Sequence, residues 1–353
     1  MLAGELEYDL PGELIAQHPV SPRDGSRLLV YDCADGRTEH RRFADLLHFL
    51  RPGDLLVYNN SRVLKARINA KRSTGGRAEL LFLSRRENHI WEVLARPSAR
   101  LKPGEALSLR RRPEDAAVPA QDAGTGGAPV FFLRENLGSG RWLVENISRL
   151  GTMDLLEQAG EMPLPPYINE KLDRPERYQT IFAREYGSAA APTAGLHFTS
   201  SLIDGVKATG ARVEPLTLHI GLGTFRPISA ARLAGHRMHA ESYRLPAHTL
   251  AAVEETRRSG GRVIAVGTTT VRVLETVFGE PPGPLAGTAD LFITPGFRFG
   301  AVDCLLTNFH LPRSTLLALV MAFAGVEETR RLYREAVRER YRFYSFGDAM
   351  LLL

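Results

Sequence analysis

His197 closes a run of small residues, Ala189-Ala190-Ala191-Pro192-Thr193-Ala194-Gly195-Leu196, of a kind that packing alone rarely requires. Small residues let a backbone approach a ligand, Pro192 fixes one dihedral, and Gly195 permits a positive φ beside an imidazole that titrates near neutral pH. The segment reads as a ligand-facing loop with His197 as its acid or base. The competing reading is a turn whose histidine is hydrogen-bonded in the core.

Four further constellations stand at predicted strand ends, where open α/β folds place ligands. In Leu218-His219-Ile220-Gly221-Leu222-Gly223-Thr224-Phe225, Arg226 occupies the place of the third glycine of a dinucleotide fingerprint, so a Rossmann-type site is excluded. Gly267-Thr268-Thr269 joins a strand to a helix; it either offers N–H groups and hydroxyls to an anion or ribose, or caps the helix. Neither turn carries the lysine of a phosphate-binding loop, which disfavours triphosphate hydrolysis. His236, His239 and Glu241 crowd one segment, but their spacing matches no common zinc pattern, and acid/base or polar surface roles are preferred to a metal. Asn308 and His310 end a strand just before an apolar helix, and turn chemistry explains their neighbours Pro312 and Ser314 but not them.

The elements that must position these residues fall into two textures. From 62 to 151 the chain is a series of short strands (AELLFL, HIWEVLA, ALSL, PVFFLR, RWLVEN) spaced as in an antiparallel barrel, with a long loop from Arg111 to Pro129. Residues 1–61 and 152–353 read as an α/β core. The pattern predicts a helix near Phe43 to Leu50, a strand at Leu55 to Tyr58 with a turn at Asn59-Asn60-Ser61, and a helix from Met153 to Gln158. Beyond these it predicts strands in ARVEPLTLHIG, RVIAV, DLFITP and VDCLLTNFH, and helices in HTLAAVEETRRSG, TTTVRVLETV, STLLALVMAFAG and the basic closing segment. The fold expected is a mixed α/β core domain with an inserted antiparallel β-barrel domain.

With 353 residues, of which 44% are hydrophobic, the chain suits two cores, and its formal charge of +5 suits an anionic partner such as nucleic acid. Cys33 and Cys304 are too few for a disulfide framework or a cysteine zinc cluster, as a reducing cytoplasm would require. The apolar run from Leu316 to Ala324 is too short to span a bilayer, and no signal pattern opens the chain, so a cytoplasmic location is expected.

The blocks APTAGLHFT, LHIGLGTFRPI, MHAESY, VIAVGTTTVR, FITPGFRF, LLTNFHLPRSTLLALVMAFAG and YRFYSFGDAM, with LIAQHPVSPRDGSRLLV, GDLLVYNNSRVLKARI and ARPSARLKPG earlier in the chain, resemble in order those of the S-adenosylmethionine:tRNA ribosyltransferase-isomerases of queuosine biosynthesis. The chain departs from that pattern at Asn60, where many members carry Asp, at Val271 to Thr276, and at Asn169. The resemblance implies an α/β core interrupted by a barrel, and transfer of the ribosyl part of S-adenosylmethionine to 7-aminomethyl-7-deazaguanine at the tRNA wobble position. Adenine and methionine leave, and epoxyqueuosine remains in the tRNA.

S-adenosylmethionine is then a consumed co-substrate, no metal is needed, and the protein is expected to work as a monomer on the anticodon loop. Such chemistry needs a base for the acidic carbon beside the sulfonium and an acid for the departing adenine. His197 and His219 are the candidates, with Glu241 and Asp348 behind them. The expected binding groups are Asn59, Pro192, Thr193, Gly195, Phe198, Gly221, Gly223, Thr224, Phe225, His239, Gly267, Thr268, Thr269, Asn308 and His310. Arg62, Lys65, Arg67, Lys71 and Arg72, with Arg330, Arg331, Arg334 and Arg338 on the last helix, are expected to meet RNA. A non-catalytic RNA-binding protein and a conventional methyltransferase are the alternatives; the first leaves the His and Gly turns unexplained and the second lacks its glycine-rich turn.

Overall fold

Short runs with no polar alternation, such as VIAV and CLL, cannot be half-exposed strands, and here they form the centre of a sheet buried on both faces. The computed structural model describes residues 1–110, 128–170, 172–221, 223, 228 and 230–353. Thr224, Phe225 and nearly all of the Arg111 to Pro129 loop lie outside them. In chain order the strands are β1 (Arg27–Tyr31), β2 (Thr38–Arg42), β3 (Leu55–Asn59), β4 (Ser61–Val63), β5 (Arg67–Arg72), β6 (Arg77–Arg85), β7 (Ile90–Arg96), β8 (Ala106–Leu109), β9 (Pro129–Gly138), β10 (Arg141–Asn146), β11 (Glu185–Ser188), β12 (Arg212–Leu218), β13 (Glu241–Arg244), β14 (Val263–Val266), β15 (Ala286–Ala289), β16 (Cys304–Asn308) and β17 (Ala349–Leu352). The helices are α1 (Thr152–Ala159), α2 (Ser200–Ala208), α3 (Ala247–Arg258), α4 (Thr268–Val277), α5 (Thr315–Ala324) and α6 (Val326–Arg338).

The chain divides into two units, Met1–Arg62 with Pro165–Leu353, and Val63–Leu164. In the first, a nine-stranded sheet has the order β15-β13-β12-β3-β14-β16-β17-β1-β2. β12, β3, β14 and β16 run parallel, so their carboxyl ends, Leu218, Asn59, Val266 and Asn308, share one edge. Alternate side chains feed two cores. Leu28, Val30, Leu56, Ile264 and Leu306 pack with Phe43, Phe198 and α2 on one face. Leu29, Leu55, Val57, Ala265 and Leu305 pack with α3 to α6 on the other.

The second unit is a closed antiparallel barrel, β10-β7-β6-β5-β8-β9. Period-two burial in β6 and β10 points Leu80, Phe82, Trp142 and Val144 inward, and Trp142 donates its Nε1–H to Ser98 Oγ at 2.9 Å.

Several elements differ from expectation. α1 belongs to the barrel unit, because Leu155 and Leu156 bury in the barrel core. Phe43–Phe49 is a 3₁₀ helix. DLFITP is not a strand; the edge strand is β15, four residues earlier in sequence and weak in apolar signal. The N-terminal segment contributes two strands for which the pattern gave no expectation, β1 and β2, which extend the sheet, and β17 inserts beside β1.

Candidate active site

A cleft opens at the carboxyl ends of the parallel strands, as the topology of open α/β sheets requires. About 690 Å³ of atom-free space is enclosed there, including its mouth, between the loop Ala190–Ala194, the turn Gly267–Thr269, the strand end Thr307–Leu311 and the rings of Tyr167 and Tyr344. Each wall has a local cause. Gly267 holds φ 92° and ψ 153°, a conformation essentially restricted to glycine, and this aims the first turn of α4 at the cleft. Asn59 braces that turn: its Nδ2 donates to Leu218 O at 3.0 Å and to Thr269 Oγ1 at 3.3 Å, while its Oδ1 accepts from Ser61 N and Leu218 N. Ser314 caps α5 by accepting from Leu317 N. Tyr344 has φ 71°, uncommon for a bulky residue, and places its ring 4.6 Å from that of Tyr167.

Asn308 connects the cleft to what lies behind it. Its Nδ2 faces Tyr344 O at 3.3 Å and His197 Nε2 at 3.0 Å, so His197 accepts there, and its Nδ1–H donates to Ser26 Oγ at 2.7 Å. Asn308 Oδ1 is buried without a hydrogen-bond partner among the described residues. The His197 ring stacks on Phe43 with centroids 4.8 Å apart. Burial, then Arg23 and Arg342, push its pKa down to about 3. His310, on the cleft wall, is also driven down to about 3 by burial, and its Nε2 lies 2.8 Å from Thr307 Oγ1. Both imidazoles are neutral, and the rings of Tyr167 and Tyr344 stand on the same cleft wall as His310.

A family model described as "Queuosine biosynthesis protein" matches residues 3–352. Among similar proteins, one from Symbiobacterium thermophilum is 50% identical over 100% of both chains, and one from Rubrobacter xylanophilus is 53% identical over 100% of this chain and 98% of its own; both are named S-adenosylmethionine:tRNA ribosyltransferase-isomerase. The chain belongs to the queuosine biosynthesis protein family. A solved structure of an S-adenosylmethionine tRNA ribosyltransferase from Thermotoga maritima matches with a TM-score of 0.55 and 37% identity, covering 99% of this chain and 100% of the other.

Within this family member the residues expected from sequence separate into three groups. Pro192, Thr193, Gly267, Thr268, Thr269, Asn308 and His310 line the cleft, and Asn59 supports it. None of the four expected catalytic residues is on its wall. His197 lies behind Asn308. Asp348 is buried and accepts from Arg27 N and Arg342 N, both at 2.8 Å, joining the start of β1 to that of β17; burial raises its pKa. Glu241 is buried against Arg272 at 2.5 Å and accepts from Gly221 N at 2.7 Å. His219 is half-buried against Gly187, where a Cβ would come within 2.8 Å of its Nδ1, and burial lowers its pKa.

Phe198 is fully buried in the core. Gly195 does not adopt a positive φ; it sits in a 3₁₀ turn where a Cβ would press Thr180 Cγ2 at 3.0 Å. Gly223 packs on the His239 ring, at which a Cβ would collide. Among the described residues no group of three or more His, Cys, Asp or Glu is arranged to hold a metal, and no helix is long and apolar enough to cross a membrane.

The expected RNA contacts are largely occupied. Arg72 makes a two-point pair with Glu105 at 2.7 and 2.9 Å, Lys65 pairs with Glu157, Arg67 is 3.9 Å from Glu79, and Arg330, Arg331 and Arg338 pair with glutamates of or beside α6. Arg62 lies over the exposed ring of Tyr186. Lys71 and Arg334 are exposed without ion-pair partners among the described residues. Sequence reasoning missed Tyr167, Tyr344 and Ser345 on the cleft wall, and the positive φ of Tyr344 is visible only in the fold.

Proposed function

We propose that this chain is a tRNA ribosyltransferase-isomerase that moves the ribosyl part of S-adenosylmethionine onto 7-aminomethyl-7-deazaguanine at the wobble position, leaving epoxyqueuosine and releasing adenine and methionine. It acts as a monomer in the cytoplasm, on the anticodon loop. The observation that carries this reading is the match of nearly the whole chain, residues 3–352, to the queuosine biosynthesis family. The cleft supports it: its walls are apolar and aromatic, with a few convergent polar groups, as a cationic nucleoside and an unstacked base require.

Within the cleft, His310 stands on the wall as a neutral imidazole fixed by Thr307, and a pKa lowered to about 3 suits it to hydrogen bonding with substrate better than to taking up a proton. Asn308, held by His197 Nε2 and Tyr344 O, forms a polar part of the cleft wall. His197 is a positioning residue that orients the Asn308 amide. The α4 terminus supplies N–H groups and threonine hydroxyls to ribose oxygens.

The test is product analysis with precursor tRNA and S-adenosylmethionine labelled in the ribosyl carbons. Adenine and methionine in equal amounts, with label in the tRNA, are expected. S-adenosylhomocysteine with methylated RNA would make it a methyltransferase, and binding without turnover would make it a non-catalytic RNA-binding protein.

A further inference from the structure

The sequence-derived RNA contacts are mostly neutralised, yet one cluster of guanidinium groups beside the cleft is not. Arg23, Arg174 and Arg177 line two adjoining depressions of the first unit, of about 260 and 810 Å³ of open space. Ser345 lines both the smaller depression and the cleft, so the arginines begin where the cleft wall ends. Two other arginines of the first unit face carboxylates: Arg262 meets Asp54 at 2.6 Å and Arg272 meets Glu241 at 2.5 Å.

These three have no carboxylate within ion-pair distance among the described residues. Backbone carbonyls hold two of them instead, Arg23 Nη1 donating to Leu196 O at 3.1 Å and Arg177 Nη2 to Val20 O at 2.6 Å. Arg177 Nε is buried and unpartnered among those residues. Carbonyl anchors fix a guanidinium without cancelling its charge, and burial with mutual repulsion between Arg23, Arg177 and Arg174 lowers the pKa of Arg23 and Arg177. The carboxylates nearby are few: Asp173 lines the outer depression, Glu170 is engaged by His18 at 2.5 Å, and Asp24 accepts from Thr199 Oγ1.

We propose that Arg23, Arg174 and Arg177 clamp phosphodiester groups of the RNA next to the nucleotide whose base enters the cleft. Carrying several positive charges in a half-open trough suits a chain of phosphates better than the single carboxylate of a methionine moiety. This rests on the RNA-modifying reading given above.

Binding of a fluorescent anticodon stem-loop to the full chain, followed by anisotropy over a range of salt concentrations, tests it. Arg174→Ala, an exposed position that leaves the fold intact, should weaken binding roughly tenfold and lower the salt slope by about one, with the KM for S-adenosylmethionine unmoved. Arg23→Ala should add to that loss, whereas Arg258→Ala, at an exposed position at the end of α3, should change neither affinity nor slope. Unaltered affinity and slope in both cluster variants would overturn the clamp, as would a raised KM for S-adenosylmethionine with RNA binding intact. If the unaltered chain releases no adenine, the reaction is wrong, and the salt slopes still decide the clamp.

Discussion

An imidazole with both nitrogens hydrogen-bonded and a phenyl ring on its face cannot gain a proton without losing a contact, and His197 is in that position. Its residue type and its loop pointed to chemistry; in the fold it is buried, is hydrogen-bonded by Asn308 and lines the smaller depression beside the cleft. For His197 and His310 the ordinary pKa of 6.5 falls to about 3 in the fold. Between those values the unfolded chain takes up protons that the folded chain refuses. Stability is therefore fully present above about pH 6.5 and is lost as pH falls toward about 3. Urea unfolding from about pH 7 to about pH 4 should show this loss, and His197→Gln should show a shallower one. At neutral pH the same variant should be less stable by roughly 1–3 kcal/mol, because Ser26 and Asn308 lose a matched partner. An equally steep acid loss in the variant would show that His197 is not held neutral.

Among the elements, α4 depends most on a single residue. Gly267 at φ 92° and ψ 153° turns the chain from β14 into the helix, and Ala194 stands 3.5 Å from where a Cβ would be. Gly267→Ala should cost roughly 1–3 kcal/mol in stability, from backbone strain more than from crowding. It should also shift Thr268 and Thr269 and raise the KM for S-adenosylmethionine. Thr199→Ala removes a cap from α2 at a cost of about 1 kcal/mol and is the comparison, because it weakens another helix without touching the cleft wall or the α4 turn. Thermal unfolding and steady-state adenine release on both variants distinguish the two effects; equal KM values would show that the α4 turn does not bind substrate.

For the molecule as a whole, charge is spent in different places by the fold and by the surface. Glu241 sits near His236 and His239 in sequence, but the sheet commits it to Arg272 and Gly221 N, which leaves the histidines without the carboxylate that a metal site would need. Exhaustive chelation should accordingly leave adenine release intact, provided the tRNA is shown to remain folded. Loss of activity restored by one divalent ion would return those three residues as ligands. The two hydrophobic cores of the first unit flank one sheet, so Asp54 and Arg262, joined at the amino ends of its strands, tie segments more than two hundred residues apart.

Sequence by itself determined the two-part architecture, because period-two alternation marks the barrel strands and unbroken apolar runs mark strands buried on both faces. It also located the glycine, threonine and asparagine turns at the strand ends, since those residue types follow from local backbone needs. Only the tertiary structure decided which polar groups face the cleft. Whether His197, Glu241 or Asp348 is free depends on partners such as Ser26, Arg272 and Arg342 N–H, and those are brought in from other segments of the sheet and its connections. Likewise β1 and β17 are too short and too uniform to pair by pattern alone; their register is set by parallel pairing across more than three hundred residues, and that pairing brings Tyr344 and Ser345 to the site.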